Sequence, residues 1–492
     1  MSRTPSPDRV TEHLRLLRED PQSANPPGWR ADFSDGPWPV KVHRGGERAP
    51  ATGALARVLR GTVAVTAVRG PTATLRRAVP SGGAMHPTEA YVVLTGSDRL
   101  CHVDPYRLEL LALPGDSPTR RLREGLCLAA DAPLPAVVLL LTSRFWKNFY
   151  KYGDFSYRLG AVDAGVVLGR LLRLAGSEFG DTWVRTDFAD DALNDCLGVD
   201  GRDESVYAVV GCGPDVATGG ADVTGRPASP PVAAPRLVER SRRVKRSPVF
   251  DMVHASARSA PSARAVAAGA PPAAPVAASG AVRAGTVELP SPLAVDLTDE
   301  DVIVRRRSGG RQFTGRPASP AQLATVLRQA TTAITTLRRR GGPTLPEITF
   351  CTAVHRVPGV PAGWYAYHDG RLIPVGRGPD PDLGPYLQGA LFGSSVNAEL
   401  AAFTVHAVAS PRQAGRSARD YRTQQLAVGV AMEAVVLAAT AVGLGNHPFL
   451  GFDAPAVDAA YGLDGQGSGA QAQICVGVVR AGSEWEVTVR PR

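Results

Sequence analysis

Three stretches of the chain hold residues able to do chemistry. Lys151 and Tyr152 stand side by side in KYGDFSYR. An amine or a phenolate can take up a proton once its pKa falls from about 10. Burial lowers the pKa of a lysine, and a neighbouring cation lowers that of a tyrosine. Lys147, one turn earlier, is a rival base. On residue types alone the pair fits equally well on the surface of a basic protein. The second stretch, Arg77 to Tyr91, reads RAVPSGGAMHPTEAY. Pro80 fixes φ, and Gly82 and Gly83 carry no Cβ, so the backbone can turn sharply and let a flat group approach. Ser81 adds a hydroxyl and an NH there. PSGG alone also fits an ordinary turn ahead of the apolar strand YVVL. The third stretch is RRRSGGR. Arg306, Arg307 and Arg311 offer planar bidentate donors suited to phosphate, and Ser308, Gly309 and Gly310 can turn NH groups toward an anion. A solvated basic loop is the plainer reading.

Other elements must position these residues. The pattern predicts a short helix over 11–19, an amphipathic helix over 51–60 and strands over 63–68, 136–142 and 206–211. An apolar helix follows Arg158. Ser319 and Gln322 form a capping box with Pro320 at the first helical position. WYAYHDGRLIPV reads as a hairpin turning at Asp369-Gly370. Residues 426–444 are almost continuously apolar, long enough to cross a bilayer. Their Ala/Gly-rich composition and lack of aromatic belts favour a core helix instead.

Composition sets the bounds. The chain has 492 residues, room for two or three domains, with 44% apolar content and a net charge of +9. The six cysteines lie far apart, without a C-x-x-C motif, and suit core thiols in a reducing compartment. The first residues carry no apolar signal-peptide core, so a cytoplasmic protein is expected. Ala, Pro, Ser and Gly dominate 218–298, which reads as a linker. Inside it, RLVERSRRVKR is a solvated run or a docking site for an acidic partner. The expected domains are an arm at 1–50, a first domain at 51–217, the linker, and a second domain at 299–492.

The two domains read as copies. One offset of 264 residues relates Tyr157, Arg158, Gly165, Asp200 and Gly201 to Tyr421, Arg422, Gly429, Asp464 and Gly465. The copies have diverged in a complementary way. The first keeps PSGG and the Lys-Tyr pair; the second keeps RRRSGGR and has GRSARDYR where the pair would stand.

In context, RAVPSGGAMHPTEAY resembles the flavin-contacting loop of the nitroreductase-like azoline dehydrogenases, the oxidases of thiazole- and oxazole-forming peptide biosynthesis, which read R-x-x-P-S-G-G-A-x-x-P-x-E-x-Y. KYGDFSYR resembles their Lys-Tyr pair ahead of a Tyr-Arg motif. GLGNHPFLGFD resembles the family's GLG…GGF segment. The resemblance implies an α+β nitroreductase-like fold, two tandem units forming an intramolecular pseudo-dimer, and one composite FMN site. It implies that Arg77, Pro80, Ser81, Gly82 and Gly83 lie against the flavin, that Arg306, Arg307, Ser308 and Arg311 hold its phosphate, and that Leu450 and Gly451 flank the N5 edge. Lys151 and Tyr152 would then be catalytic, removing a Cα proton as a hydride leaves for the flavin. The expected activity is FMN-dependent oxidation of thiazolines or oxazolines in a ribosomally made peptide, for antibiotic-type natural products, beside a cyclodehydratase and without metal, nucleic acid or membrane. The alternatives are an NAD(P)H-fed nitroreductase-type flavin reductase, which has no need of the pair, and a flavin-free scaffold subunit. Two departures stand out. RRRSGGR has one residue more between Ser and Arg than the family, and DAGVVLG (163–169) replaces the E-A-G-H helix signature.

Overall fold

The computed structural model describes residues 7–26, 28–70, 74–216, 235–259, 284–307, 310–342, 345–393, 395–409, 417–464, 467–480 and 486–489. The chain divides into two compact units. An N-terminal unit takes residues 25–268, 340–344 and 484–492. A C-terminal unit takes residues 1–24, 269–339 and 345–483.

Each unit is built on a seven-stranded sheet, and the strand order is the same in both. In the N-terminal unit the order across the sheet is Arg48–Pro50, Glu109–Ala112, Arg99–Asp104, Thr88–Leu94, Leu134–Arg144, Glu204–Val216, Thr182–Arg185. In the C-terminal unit it is Val287–Glu288, Arg371–Pro379, Gly363–His368, Thr349–Val354, Phe403–Ala409, Gly469–Gly477, Gly445–Phe449. All paired strands are antiparallel. Strand Leu134–Arg144 lies inside its sheet between two long partners. Its unbroken apolar run reflects burial on both faces rather than on one. The turn at Asp369-Gly370 has φ of 42° and 81°, the positive pair that a tight hairpin requires.

A 24-residue helix packs on each sheet, Ser156–Phe179 in one unit and Ala418–Ala441 in the other. Gly160 brings the first of these so close to its sheet that a Cβ would stand 3.0 Å from Ser143 Oγ. Ala418–Ala441 has the length and apolarity to cross a membrane, but almost all of it is buried within the fold. The capping box is present: Ser319 N donates to Gln322 Oε1 at 2.8 Å, and Gln322 N to Ser319 Oγ at 3.2 Å.

The duplication is visible in single hydrogen bonds. Helices Asp190–Leu197 and Ala454–Tyr461 end in Gly198 and Gly462, with φ of 67° and 68°. Both close as Schellman motifs, Val199 N donating to Asn194 O and Leu463 N to Asp458 O. From the same helices Asn194 Oδ1 accepts Val206 N at 2.9 Å, and Asp458 Oδ1 accepts Ala470 N at 2.7 Å. Every one of these pairs keeps the 264-residue offset.

The arm and linker depart from the sequence reading. Part of the arm is the helix Pro7–Glu19, which belongs to the C-terminal unit, where Arg18 pairs with Asp458. The linker contains the helix Pro248–Ser259, which belongs to the N-terminal unit. Both helices open on proline and carry a buried histidine six residues on, His13 and His254. They are counterparts, so the repeat reaches into segments expected to lie outside it. The Ala/Pro-rich composition around Pro248–Ser259 hid one short amphipathic turn sequence. At the other end, Glu486–Thr488 adds a strand beside Val65–Arg69 of the N-terminal unit.

Leu17 is fully buried, and Phe250 packs on Tyr157, Phe145 and Phe149. Leu17→Ala and Phe250→Ala should each lower unfolding free energy by about 2–5 kcal/mol, the usual cost of truncating such a side chain. Denaturant midpoints read this directly. Wild-type midpoints in both variants would show that the two helices only rest on the units.

Candidate active site

The loop at 80–86 follows strand Thr74–Arg77 and precedes strand Thr88–Leu94. Its shape is set by one carboxylate. Asp163, buried on helix Ser156–Phe179, accepts Ser81 Oγ–H at 2.9 Å and Gly82 N–H at 3.0 Å. It also accepts Asn148 Nδ2–H at 3.2 Å from helix Trp146–Tyr152. Ser81 Oγ in turn accepts His86 N–H at 2.8 Å. Gly83, Ala84 and His86 all have positive φ, an unusual cluster in which two residues carry a Cβ.

Side chains close in on both glycines, and Gly83 has a φ of 59°. A Cβ on Gly82 would collide with Leu159, and one on Gly83 with Tyr152 Oη and with Lys151 Nζ at 2.7 Å. Lys151 and Tyr152 therefore converge on the exposed Gly83 surface. The Lys151 ammonium also sits 5.1 Å from the centre of the Tyr152 ring. Burial, with Asp163 and Tyr150 behind it, pushes the Tyr152 phenol up to about 12. A tyrosinate base is thus disfavoured, contrary to one reading of the sequence: the nearby lysine does not outweigh desolvation. At neutral pH Tyr152 is a hydrogen-bond donor.

Lys147 lies elsewhere. It is buried and donates to Glu89 Oε1 at 2.9 Å. Burial lowers its pKa to about 8, against the attraction of Glu89. Burial favours the neutral form of Glu89, but Lys147, His102 and Arg77 outweigh it and hold this carboxyl well below its usual range. Next to this pair, Glu204 accepts Lys41 Nζ, Tyr91 Oη and Thr142 Oγ1, each at 2.7 Å. These partners satisfy charges that would otherwise be costly to bury.

Pro80 is buried under the loop. Arg77 is buried, with its guanidinium on Thr88 O and near Pro39 O, so it shapes the backbone beneath the loop. The Ser81 hydroxyl is engaged by Asp163 and His86, and its carbonyl accepts Ala84 N–H at 3.0 Å. In the C-terminal unit, Arg306 is buried, and Arg307 donates to Val304 O and Arg306 O. Arg311 is exposed and makes no ion pair among the described residues. Ser308 lies outside the described residues. Gly310 N donates to Asn446 O at 3.2 Å, which brings this segment beside Gly445–Phe449. Leu450 is buried, and open space surrounds the missing Cβ of Gly451, with Phe392 at 3.9 Å. His447 is driven down to about 4 by burial and the Arg311 charge, so it is neutral at pH 7. No group of three or more His, Cys, Asp or Glu among the described residues could hold a metal.

Sequence reasoning missed Asp163 and Asn148 as positioning residues. The signal was present in DAGVVLG, where an acidic residue stands among apolar ones in the first half of helix Ser156–Phe179.

Burial pushes the Asp163 carboxyl up to about 6 despite its three hydrogen bonds. A carboxyl raised above its unfolded value makes the folded state bind more protons. Its contribution is most favourable below pH 4 and is lost as pH rises toward 6. Relative to Asp163→Asn, wild-type unfolding free energy should fall by up to ~3 kcal/mol across that window. Parallel pH profiles would disprove the assignment.

Residues 385–478 match the Nitroreductase family. No curated protein matches the chain in sequence. Among solved structures, a protein of Anabaena variabilis assigned as a nitroreductase is similar with a TM-score of 0.72 and 19% identity, over 96% of this chain and 99% of that one. One from Ralstonia eutropha, likewise assigned, reaches 0.31 at 17% identity over 40% of this chain and 91% of its own. The E. coli microcin synthetase McbBCD complex with truncated pro-MccB17 bound reaches 0.29 at 16% identity, over 43% and 94%. Nitroreductase-family proteins bind FMN. The chain carries the nitroreductase-like α+β fold, the fold of a family of flavin oxidoreductases.

Proposed function

We propose that the protein is a cytoplasmic FMN-dependent dehydrogenase. It would oxidise thiazoline or oxazoline rings of a ribosomally made peptide to thiazoles or oxazoles, next to the cyclodehydratase that forms those rings. The observation that carries this reading is the convergence of Lys151 Nζ and Tyr152 Oη on Gly83. A flavin reductase fed by a nicotinamide has no use for that pair.

The residues suit the cofactor. Gly83 is exposed and carries no side chain of its own, so a planar ring can approach its backbone, with Lys151 Nζ and Tyr152 Oη at its side. Arg311 is an exposed guanidinium suited to a phosphate, which favours it over Arg306 and Arg307. The N-terminal unit has no counterpart of RRRSGGR and the C-terminal unit none of PSGG. On that complementarity one FMN per chain is proposed. When bound, FMN supplies a two-electron acceptor. Lys151 takes the Cα proton of the azoline on its amine. Tyr152, held protonated, donates a hydrogen bond toward the ring heteroatom and orients it. Asp163 and Asn148 act through the loop and the site helix as positioning residues.

Lys151→Ala should slow azole formation roughly 10²- to 10⁴-fold, the usual cost of losing a general base. Tyr152→Phe, which removes only an orienting hydrogen bond, should slow it less. Both should retain FMN. The assay is loss of two hydrogens per ring, read by mass on an azoline-containing peptide. Wild-type rates in both variants would remove the pair from the mechanism.

A further inference from the structure

The basic run RLVERSRRVKR takes no part in the site above, yet the fold orders it. Arg236–Val238 pairs with Val42–Arg44 as a two-stranded ribbon. Beyond it, Asp35 accepts the backbone NH of Arg242 at 2.7 Å and of Arg243 at 3.0 Å. Ser241 is buried, and its Oγ accepts the Trp146 indole NH at 2.7 Å. Arg240 lies over the Trp38 ring at 5.4 Å and Lys245 over the Trp29 ring at 5.2 Å. The backbone is thus fixed before anything binds, so a partner meets a pre-organised surface.

Two properties mark this ridge. The side chains of Arg240, Arg242, Arg243 and Lys245 are exposed and make no ion pair among the described residues. Nearby carboxylates are engaged: Asp35 by the two amides, Asp32 by Ser34, Glu239 by Arg144 and Asp203 by Arg246. Asp32 is within electrostatic reach of Lys245 and partly offsets it. Four of the eight large apolar side chains exposed among the described residues also lie here. They are Phe33 at 66%, and Trp38, Leu237 and Val244 at 42% each. Exposed apolar groups beside unpaired cations mark a surface meant to be covered.

We propose that residues 33–38 and 237–245 form a docking surface for an acidic peptide segment that also carries apolar side chains. The aromatic faces decide against nucleic acid. Trp29 and Trp38 each have a cation over a ring face, from Lys245 and Arg240, which leaves Phe33 as the one open aromatic ring, short of the row of rings on which successive bases stack. The ridge also leads to the candidate active site. The Phe33 ring is 6.2 Å from that of Tyr150, whose hydroxyl donates to Met85 Sδ at 3.0 Å, and Tyr150 adjoins Lys151. That the docked peptide is the substrate rests on the proposed function; the docking does not.

The test is fluorescence anisotropy on the full chain, with a labelled peptide of three Glu-Glu-Leu-Ser-Phe repeats. Arg242→Glu with Arg243→Glu should weaken binding roughly tenfold or more, since like charges then face each other. Arg107→Glu with Arg316→Glu makes the same change in net charge on exposed surface elsewhere and should leave binding unchanged. Wild-type binding should weaken in about 0.5 M NaCl, where screening is stronger, but survive in part through the apolar contacts. Absence of saturable binding, equal loss in both double variants, or binding of a single-stranded oligonucleotide in place of the peptide would each overturn the proposal. Because the assay needs neither flavin nor an azoline, its failure and the failure of the dehydrogenase reading are separate results.

Discussion

Asp163 ties three pieces of the N-terminal unit together. It stands on the core helix, holds the Pro-Ser-Gly-Gly loop through Ser81 and Gly82, and holds the short helix bearing Lys151 and Tyr152 through Asn148. Loop and helix are far apart in sequence, and each needs an internal reference to meet the other. The carboxylate is that reference. It works because it is buried, where hydrogen bonds to it are strong and unscreened. Burial also costs it: the group is lifted toward neutrality, and the positive-φ backbone at Gly83, Ala84 and His86 adds strain that the hydrogen bonds must hold.

Two copies of one unit carry this arrangement unequally. Strand order, Schellman caps and the hydrogen bonds of Asn194 and Asp458 persist in both, since each fixes how a helix joins its sheet. Loops face no such constraint, and there the copies differ. The N-terminal unit has the glycine loop and the Lys-Tyr pair. The C-terminal unit has the exposed Arg311 and the open backbone at Gly451. The framework is common to both, and the loops are not.

Much of this was legible in the sequence. The paired Tyr-Arg motifs and the Asp-Gly pairs at 200–201 and 464–465 revealed the repeat, because they fall at one offset. The Asp369-Gly370 hairpin and the Ser319 cap were legible because local chemistry allows few residues there. The helix of the arm was legible over 11–19, but not the unit it joins; the helix Pro248–Ser259 was missed because its stability comes from tertiary packing, which composition does not report. Arg77, Ser81 and Arg307 were expected at a cofactor, yet their side chains bond within the fold. Residue type identifies a donor, while only geometry shows where it points. Asp163 was passed over for the converse reason, since an acid among the apolar residues of a helix declares no partner in the sequence.

The central claim is that this fold holds a flavin and uses it. The most direct measurement is the cofactor released when natively purified protein is denatured, identified and counted against chain concentration. FMN at about one per chain is the expected result. A colourless protein that releases none, and takes up none when FMN is supplied, would contradict it.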